Sequence, residues 1–427
     1  MQKLKRKIIS KKAKIAVIGL GYVGLPLAVS FAKAGFMVLG LDNNKSRVDR
    51  IRKGKSYIKD VAVKDITSLI RKKTFQASTD LSLLKQVDVV LICVPTPLKR
   101  KYTPDISYIV SAVKTIGKFM TKDKLIILES TTYPGTTEEL IKPLLEKSGM
   151  KSEKDFYLAF SPERIDPGNK KYPVTKIPKV VGGLSEASSS LAKVLYRKIV
   201  NKVHVVSSPR AAEMTKLLEN TFRLINIGWV NEAAMMCDKL GINIWEVIEA
   251  AKTKPFGFMP FYPSLGVGGH CIPDDPLYLF WKARHHGVSS KFIKLSADIN
   301  EKIPEYILTR VEGLFKKKVK KILVLGATYK KDVKDLRRSP AVKFIETAKK
   351  RGHSVSYFDP LIPYLEMGAL HLKSIKLNSK AIKQFDCVVI AVAHTGVNYR
   401  MILDSARYVF DACNAYKGKK NSKIIVL

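Results

Sequence analysis

Short apolar runs alternate with segments of helical spacing through the first half of the chain. The pattern opens over residues 13–42, where an apolar run, a glycine-rich turn, a helical stretch and a second apolar run follow one another. Comparable apolar runs recur at 87–95, 124–130, 156–163 and 179–183. This alternation of buried strands and helices is typical of a parallel sheet covered by helices. We therefore predict a parallel α/β domain over residues 1–206.

The pattern changes at Ser208-Pro209, where a capping residue precedes a proline at the first helical position. Helical spacing then continues, with no strand signal outside one glycine-rich loop. Strand-like runs return at 320–330, 353–360, 385–394 and 406–413. We predict a central helical domain over residues 207–316 and a second, smaller α/β domain over residues 317–427.

The charge balance points to an anionic partner. The 427 residues include 76 Lys+Arg against 37 Asp+Glu, a formal net charge of +39. Such an excess favours nucleic acid, anionic lipid or phosphorylated small molecules. The basic residues form short scattered runs without interleaved aromatic residues. We predict a solvated basic surface and no nucleic-acid partner, and keep a nucleic-acid-binding or regulatory protein as the alternative outside the enzymes.

The cysteines fit neither a disulfide framework nor a metal site, because they are odd in number and widely spaced. They are Cys93, Cys237, Cys271, Cys387 and Cys413. We therefore expect a cytoplasmic protein without a bound metal.

The basic N-terminus followed by the uncharged stretch Ile15–Ala32 imitates a signal peptide or membrane anchor. Three glycines and a proline interrupt that stretch, and it leads into an apolar run ending in Asp42. A strand, turn, helix and second strand explain it better, so no membrane insertion is expected.

The turn within that unit matches G-x-G-x-x-G, and a strand before it and a helix after it agree with a dinucleotide site. This arrangement places a pyrophosphate at the helix N-terminus and the carboxylate of Asp42 on the ribose hydroxyls. The acid favours NAD over NADP, and Arg47 is placed to flank the adenosine; a ligand-free turn is the alternative. The predicted cofactor contacts here are Gly19, Gly21, Tyr22, Val23, Gly24, Asp42 and Arg47.

A polar stripe follows one face of the helix predicted over 208–234. Lys216, Asn220 and Arg223 share that face, and Asn231 lies near it. The stripe either faces water or forms the polar wall of an active site.

Cys271 follows a run of glycines and precedes Asp274 and Asp275. It is either a core thiol or a nucleophile. With NAD, a thiol can capture an aldehyde as a thiohemiacetal, which is oxidised to a thioester and hydrolysed to a carboxylate. Lys216 and Asn220 are candidates to stabilise the oxyanion, and Asp275 and Glu163 to move protons or position water.

Seven motifs together resemble the UDP-glucose/GDP-mannose dehydrogenase family over essentially the whole chain. They are GLGYVG at 19–24, VPTP at 94–97, ESTTYPGTT at 129–137, SPER at 161–164, KLLENTFRLINI at 216–227, GVGGHCIPDDP at 266–276 and GATYKKDVKDLRRSP at 326–340. The resemblance implies a Rossmann-type NAD domain, a central helical dimer core and a Rossmann-like domain that holds uridine diphosphate. It implies oxidation of C6 of a nucleotide sugar from alcohol to carboxylate with two NAD⁺ per turnover.

The resemblance also implies a role for each matched residue. Cys271 is the expected nucleophile, Lys216 and Asn220 stabilise the oxyanion, Asp275 supports acid–base work, and Thr131 and Glu163 position water. Thr96 and Thr131 contact NAD, and Arg337 is expected to reach the cofactor of a partner subunit. The expected substrate contacts are Arg164, Ile165, Lys216, Asn220, Arg223, Gly268, Tyr329 and Lys330. His270 is interpreted as a packed neighbour of the thiol, with activation of the thiol as the alternative.

The segments 253–263 and 266–284 are similar to the UDP-N-acetylglucosamine 6-dehydrogenase branch. The UDP-N-acetylmannosamine branch usually has His-Pro-Arg where this chain has Pro255-Phe256-Gly257. That epimer is the first alternative substrate and UDP-glucose the second.

Three departures from the family pattern predict a change of specificity rather than a loss of activity. They are Pro263-Ser264-Leu265-Gly266 for Pro-Gly-Pro-Gly, Arg338 for a glutamate, and Cys413 for an arginine.

Overall fold

The computed structural model describes residues 1–58, 60–99, 102–164, 176–315, 320–419 and 421–427. By packing, the chain divides into a first unit, Met1–Glu219 with Trp281–Gly287, and a second unit, Asn220–Phe280 with Val288–Leu427. Ile165 and the predicted domain boundary at 316–317 lie outside the described residues. The three-domain division stays a prediction.

An eight-stranded sheet forms the centre of the first unit. Its strands are β1 (Lys14–Ile18), β2 (Met37–Leu41), β3 (Phe75–Ser78), β4 (Val89–Ile92), β5 (Lys124–Leu128), β6 (Phe156–Phe160), β7 (Lys179–Gly183) and β8 (Val203–Val205). The spatial order is β3-β2-β1-β4-β5-β6-β7-β8. The strands from β1 to β6 are parallel, whereas β7 runs antiparallel to β6 and β8 runs parallel to β7. The predicted parallel sheet is confirmed, and the reversal at β7 is a difference that apolar runs alone do not reveal.

Helices cover the two faces of this sheet. They are α1 (Gln2–Ile9), α2 (Gly24–Lys33), α3 (Lys45–Arg52), α4 (Val63–Arg71), α5 (Ser107–Lys118), α6 (Lys142–Glu146) and α7 (Glu186–Tyr196), with a 3₁₀ turn at Leu81–Gln86 and a π-helical turn at Thr136–Ile141. Alternate residues of β1 enter opposite cores: Ile15 lies in one cluster and Ala16 in the other. Burial on both faces explains why the strands read as continuous apolar runs.

The basic N-terminus forms the helix α1, an element that the sequence pattern did not predict. Its Leu4 and Ile8 are buried in the first of these cores. In the described part of the chain, every helix is too short or too polar to span a bilayer.

The long helix α8 (Pro209–Leu240) begins in the first unit and continues into the second. Its predicted start is confirmed, since the Ala211 N–H donates to the Ser208 hydroxyl over 3.2 Å. The other helices of the central section are α9 (Ile244–Ala251), α10 (Cys271–His285) and α11 (Lys291–Gly313).

A second sheet of five parallel strands completes the second unit. The strands are β9 (Lys321–Leu325), β10 (Ser354–Phe358), β13 (Cys387–Ile390), β14 (Val409–Asp411) and β15 (Ile424–Val426), in the order β10-β9-β13-β14-β15. The remaining elements are the hairpin of β11 (Tyr364–Met367) and β12 (Leu370–Lys373) and the helices α12 (Pro340–Lys350), α13 (Ser379–Ile382) and α14 (Tyr399–Ser405). Val230 and Ile307 of the central helices share a core with Ile322 of this sheet. The predicted α/β architecture, with a large sheet, a helical section and a smaller sheet, is confirmed.

Candidate active site

The glycine turn after β1 has two glycines that the protein itself requires and one that it does not. A Cβ at Gly19 (φ +91°) would lie 2.5 Å from the Cys93 carbonyl oxygen, and one at Gly24 would lie 1.8 Å from the Gly19 oxygen. A Cβ at Gly21 would meet nothing within 4 Å. The side of Gly21 is therefore open at the start of α2, which suits close approach of a pyrophosphate to the backbone.

Asp42 follows β2 and braces that turn. Its Oδ2 accepts the Leu20 N–H over 2.8 Å, its Oδ1 accepts the Asn44 N–H over 2.8 Å, and Arg47 Nη1 lies 3.4 Å from Oδ2. A carboxylate oxygen has two lone-pair sites, so Oδ1, which accepts the Asn44 N–H alone among the described contacts, can still accept a hydrogen bond from a ribose hydroxyl. The turn and the acid fit NAD as the sequence predicted; Tyr22 is exposed beside them and Val23 is half-buried.

The turn after β9 in the second sheet has the same arrangement, in which a carboxylate accepts main-chain N–H groups of the turn. The Ala327 N–H donates to Asp359 Oδ2 over 2.7 Å and the Leu361 N–H to Oδ1 over 2.8 Å. Gly326 (φ +86°) precedes the brace, as Gly19 does in the first turn. The same arrangement of a glycine turn and an acceptor carboxylate is thus built twice, once in each unit.

His394 makes further hydrogen bonds in the second turn. Its Nε2 lies 3.0 Å from Asp359 Oδ2, and its Nδ1 accepts the Asp332 N–H over 3.0 Å. Burial acts to raise the pKa of Asp359, but the hydrogen bonds from His394 and the Ala327 amide hold it below its ordinary value. These contacts fix the turn that includes Tyr329 and Lys330, which are predicted substrate contacts.

In the first unit, the structure brings together two predicted residues. The Lys216 ammonium, buried on α8, hydrogen-bonds the Thr131 hydroxyl. Thr96 is also buried in this unit. The predicted oxyanion lysine therefore contacts the threonine predicted for both NAD and water.

Glu213, one turn before Lys216, anchors the segment that follows Thr131. Its carboxylate accepts the backbone N–H groups of Gly135 and Thr137 and the Thr137 hydroxyl. Burial raises the pKa of Glu213 to about 7. Sequence reasoning missed this residue because nothing local marks a glutamate whose partners lie more than 70 positions away.

We expect Glu213 to make stability fall as pH rises from 4.5 to about 7. In that window the folded state keeps a proton that the unfolded state has released, so the free energy of unfolding declines with pH. The titration of Glu213 accounts for a decline of about 3 kcal/mol in the free energy of unfolding across this window. Replacing Glu213→Gln removes the titration, so the free energy of unfolding of the variant depends less on pH. Urea denaturation of both proteins at several pH values measures it. The exposed Glu186→Gln is the matched control, and equal slopes for Glu213→Gln and wild type would contradict the prediction.

A buried charge cluster surrounds Glu163. Lys179 Nζ lies 3.0 Å from Glu163 Oε2 and 2.7 Å from Glu129 Oε2, and the Tyr196 hydroxyl donates to Glu129. Burial opposes the charge of Lys179, but Glu129 and Glu163 together hold its pKa above the ordinary value. The antiparallel direction of β7 places its first residue, Lys179, at the sheet edge where β5 and β6 end.

Lys179, Glu129 and Tyr196 were not singled out from the sequence. The available signals were a lysine that opens an apolar strand and a glutamate that ends one. Arg164 lies beside the cluster: its N–H donates to Glu163 Oε1 over 2.7 Å, and its guanidinium contacts Glu219.

In the second unit, the predicted residues Asn220 and Asp275 are hydrogen-bonded to each other. Asn220 Nδ2 donates to Asp275 Oδ2 over 2.7 Å, and both side chains are buried. Cys271 is the first residue of α10 and is exposed, and Asp275 lies one turn further along this helix. The N-terminus of a helix stabilises an anion, so this position suits a thiolate. The alternative of Cys271 as a core thiol is wrong.

The glycines before Cys271 pack closely against other residues of the protein and do not face open space. A Cβ at Gly268 would lie 2.6 Å from Tyr329 Cβ, and one at Gly269 would lie 2.8 Å from the Tyr329 ring. The Gly269 N–H donates to the Arg337 carbonyl over 2.9 Å. The turn before the thiol therefore packs against the segment that includes the predicted substrate contacts Tyr329 and Lys330. Gly268 as a substrate contact stays a prediction.

The polar stripe of α8 is mostly buried, so the interpretation of a water-facing stripe is wrong for all but Arg223, which is exposed. Asn231 has a structural role, since it accepts the Ser264 N–H over 2.9 Å and donates to Asn300 over 2.8 Å. The guanidinium of Arg337 lies 2.6 Å from Asp335 of its own segment. Its predicted contact with a partner's cofactor stays a prediction.

Two predicted nucleotide-binding turns and an exposed thiol beside buried polar residues define the class of protein, a nucleotide-dependent oxidoreductase with Rossmann-type folds. The chain belongs to the UDP-glucose/GDP-mannose dehydrogenase family. Residues 13–200 match its NAD binding domain, 210–302 its central domain and 323–418 its UDP binding domain. It is therefore an NAD-dependent nucleotide-sugar dehydrogenase.

The relatives include enzymes with two different sugars in their names. The chain is 37% identical to UDP-N-acetyl-D-glucosamine 6-dehydrogenase of Pseudomonas aeruginosa, over 90% of this chain and 91% of that one. It is 35% identical to UDP-N-acetyl-D-mannosamine dehydrogenase of Pyrococcus horikoshii, over 95% and 96% of the two chains. The solved structure of the UDP-D-ManNAc dehydrogenase from Pyrococcus horikoshii superposes with a TM-score of 0.86 at 33% identity, covering 97% of this chain and 98% of that one.

Proposed function

We propose that this enzyme oxidises C6 of UDP-N-acetylglucosamine to the carboxylate through a covalent intermediate on Cys271. The observation that supports the proposal is the placement of the thiol, exposed at the start of α10 and one turn before the buried Asp275 that Asn220 holds. The product is an acidic amino sugar of the kind used in surface polysaccharides.

The first oxidation converts the C6 alcohol to an aldehyde. Asp275 takes part in moving the hydroxyl proton, and Asn220 holds its carboxylate in place for that role. Bound NAD⁺ supplies the acceptor for the two electrons and one hydrogen lost from C6 in each oxidation.

In the second oxidation, the Cys271 thiolate adds to the aldehyde carbon and forms a C–S bond, with an oxyanion that Lys216 and Asn220 stabilise. Loss of a second pair of electrons gives a thioester. Water positioned by Thr131 and Glu163 adds to the thioester carbon, the C–S bond breaks, and the thiol and a carboxylate are released. The contact of Lys216 with Thr131 supports their joint placement.

The choice of sugar depends on the segment before the glycine turn. Gly257 (φ +68°) stands where the N-acetylmannosamine branch usually has an arginine, so a positive charge is absent from this position. The similarity of residues 253–263 to the N-acetylglucosamine branch supports that substrate.

We expect about two NADH per sugar consumed, with UDP-N-acetylglucosamine the fastest substrate. The test uses purified protein, excess NAD⁺ and limiting sugar, with NADH followed by absorbance and the sugar by chromatography. UDP-N-acetylmannosamine and UDP-glucose are run in parallel. Faster turnover of either would overturn the substrate and keep the mechanism. No turnover of any, together with salt-sensitive retention on nucleic acid, would favour the binding-protein alternative.

A homodimer is the proposed assembly. Phe222, Trp229 and Met236 of α8 are all exposed and recur at seven-residue spacing, so they share one face of the helix. Phe256 and Phe292 are also exposed in the second unit. Light scattering coupled to size exclusion is expected to give twice the mass of the chain. A Trp229→Glu variant that stays dimeric would contradict this face as the interface.

A further inference from the structure

An ion pair joins the helix of the thiol to the segment that includes the predicted substrate contacts Tyr329 and Lys330. Arg338 Nη2 lies 2.7 Å from Asp274 Oδ1 within the second unit. Asp274 belongs to the first turn of α10, three residues after Cys271, and is buried, whereas Arg338 is exposed. Arg338 has φ +47°, a left-handed conformation that costs free energy in a non-glycine residue, so its backbone is held by its surroundings.

Backbone contacts surround this pair on both sides. The Gly269 N–H donates to the Arg337 carbonyl, and a Cβ at Gly268 would lie 2.8 Å from the Arg338 carbonyl oxygen. The turn before Cys271 and the segment 327–340 are therefore in contact through their main chains. The ion pair adds a charged side-chain contact to this junction.

We infer that Arg338 is a positioning residue for Cys271, acting through Asp274. The pair holds the first turn of α10 against the segment that includes Tyr329 and Lys330, so the segment with these predicted substrate contacts also sets the position of the thiol. The inference rests on the proposed role of Cys271, but its primary readout does not depend on turnover.

Several charged groups lie around Asp274. Asp275 follows it directly, so two buried carboxylates lie in the turn after the thiol. His270 Nε2 lies 3.9 Å from Asp274 Oδ2, and Arg337 and Arg338 approach from the facing segment. Burial raises the pKa of Asp274 to about 6, whereas Arg338 opposes that shift. Arg338 thus favours the ionised form of Asp274 and holds its turn through the ion pair.

The test measures alkylation of Cys271 by iodoacetamide in the full-length protein, read by mass spectrometry of the Cys271 peptide over a range of pH. The variants are Arg338→Gln, Asp274→Asn, their double variant and the conservative Arg338→Lys. Lys334→Gln, an exposed lysine of the same segment, is the matched control. The affinity for UDP alone, the melting temperature, kcat and KM are measured for each.

We expect each single variant to change the alkylation rate about fivefold or more and to shift its pH profile, and the double variant to add little, because the two residues act as a unit. Arg338→Lys retains most of the wild-type rate, Lys334→Gln matches wild type, and the variants lower kcat while UDP affinity stays within about twofold.

Three results overturn the inference. They are a wild-type alkylation profile in Arg338→Gln, additive effects in the double variant, and a loss of UDP affinity in Arg338→Gln that Asp274→Asn does not share, which would make Arg338 a nucleotide ligand. If Arg338→Gln does not fold, Asp274→Asn removes the same contact. Failure of the proposed function is visible separately, as turnover that survives the loss of Cys271.

Discussion

Replacing Cys271→Ser is expected to lower kcat for carboxylate formation by a factor of about 10⁴ or more. A hydroxyl has nearly the same size as a thiol but is a far weaker nucleophile at neutral pH, so the covalent intermediate does not form at a useful rate. Because Cys271 is exposed at the start of α10, the exchange leaves the core intact. The carboxylate formed from limiting nucleotide sugar, followed by chromatography, measures the loss, because the first oxidation alone still forms NADH. An unchanged melting temperature and UDP affinity show that the fold and the nucleotide site persist.

The matched control is Cys237→Ser, which changes a partly buried thiol on α8 and is expected to keep wild-type turnover. A Cys271→Ser protein that still forms about two NADH per sugar would exclude the thiol as the nucleophile. The remaining candidate chemistry would then involve direct hydration of the aldehyde.

Replacing Lys179→Met is expected to cost about 3–5 kcal/mol of the free energy of unfolding. The ammonium lies between Glu129 and Glu163, and both carboxylates are largely shielded from water. Removing it leaves two buried negative charges facing each other without a cation, which a methionine of similar length does not compensate. Urea denaturation followed by circular dichroism measures the change.

The pH dependence of this variant separates the charge effect from lost packing. Unpaired buried carboxylates have a raised pKa, so protonation relieves them and the deficit shrinks as pH falls toward the ordinary glutamate value of 4.5. Adding Glu129→Gln to Lys179→Met is expected to recover part of the loss. The exposed Lys202→Met is the matched control, with an effect within about 0.5 kcal/mol. A Lys179→Met protein as stable as wild type at neutral pH would contradict the prediction that Lys179 stabilises the fold by compensating the two buried carboxylates.

The features predicted from the sequence are those whose physics is local. Gly19, Gly24 and Asp42 were found because a turn between a strand and a helix needs particular residues at fixed spacing. The start of α8 at Pro209 was found because capping is likewise local.

The missed features depend on contacts between distant positions. Lys179 lies 50 positions from Glu129 in the sequence. It reaches that carboxylate because β7 is antiparallel to β6. Apolar runs do not encode strand direction, so the sequence did not reveal that the lysine at the start of one strand meets the glutamate at the end of another. The glycines before Cys271 show the same limit: the run of glycines is visible in the sequence, but the packing of Tyr329 against Gly268 and Gly269 is not.

The brace formed by Asp42 constrains any attempt to redesign this enzyme for NADP. An exchange that removes the acid to admit a 2′-phosphate also removes the acceptor of the Leu20 and Asn44 amides. Two main-chain donors would then lose their partner in a turn that must stay rigid around the pyrophosphate. A change of cofactor preference in this scaffold therefore requires a new turn together with a new residue 42, so single-site libraries at this position will recover damaged NAD enzymes rather than NADP enzymes.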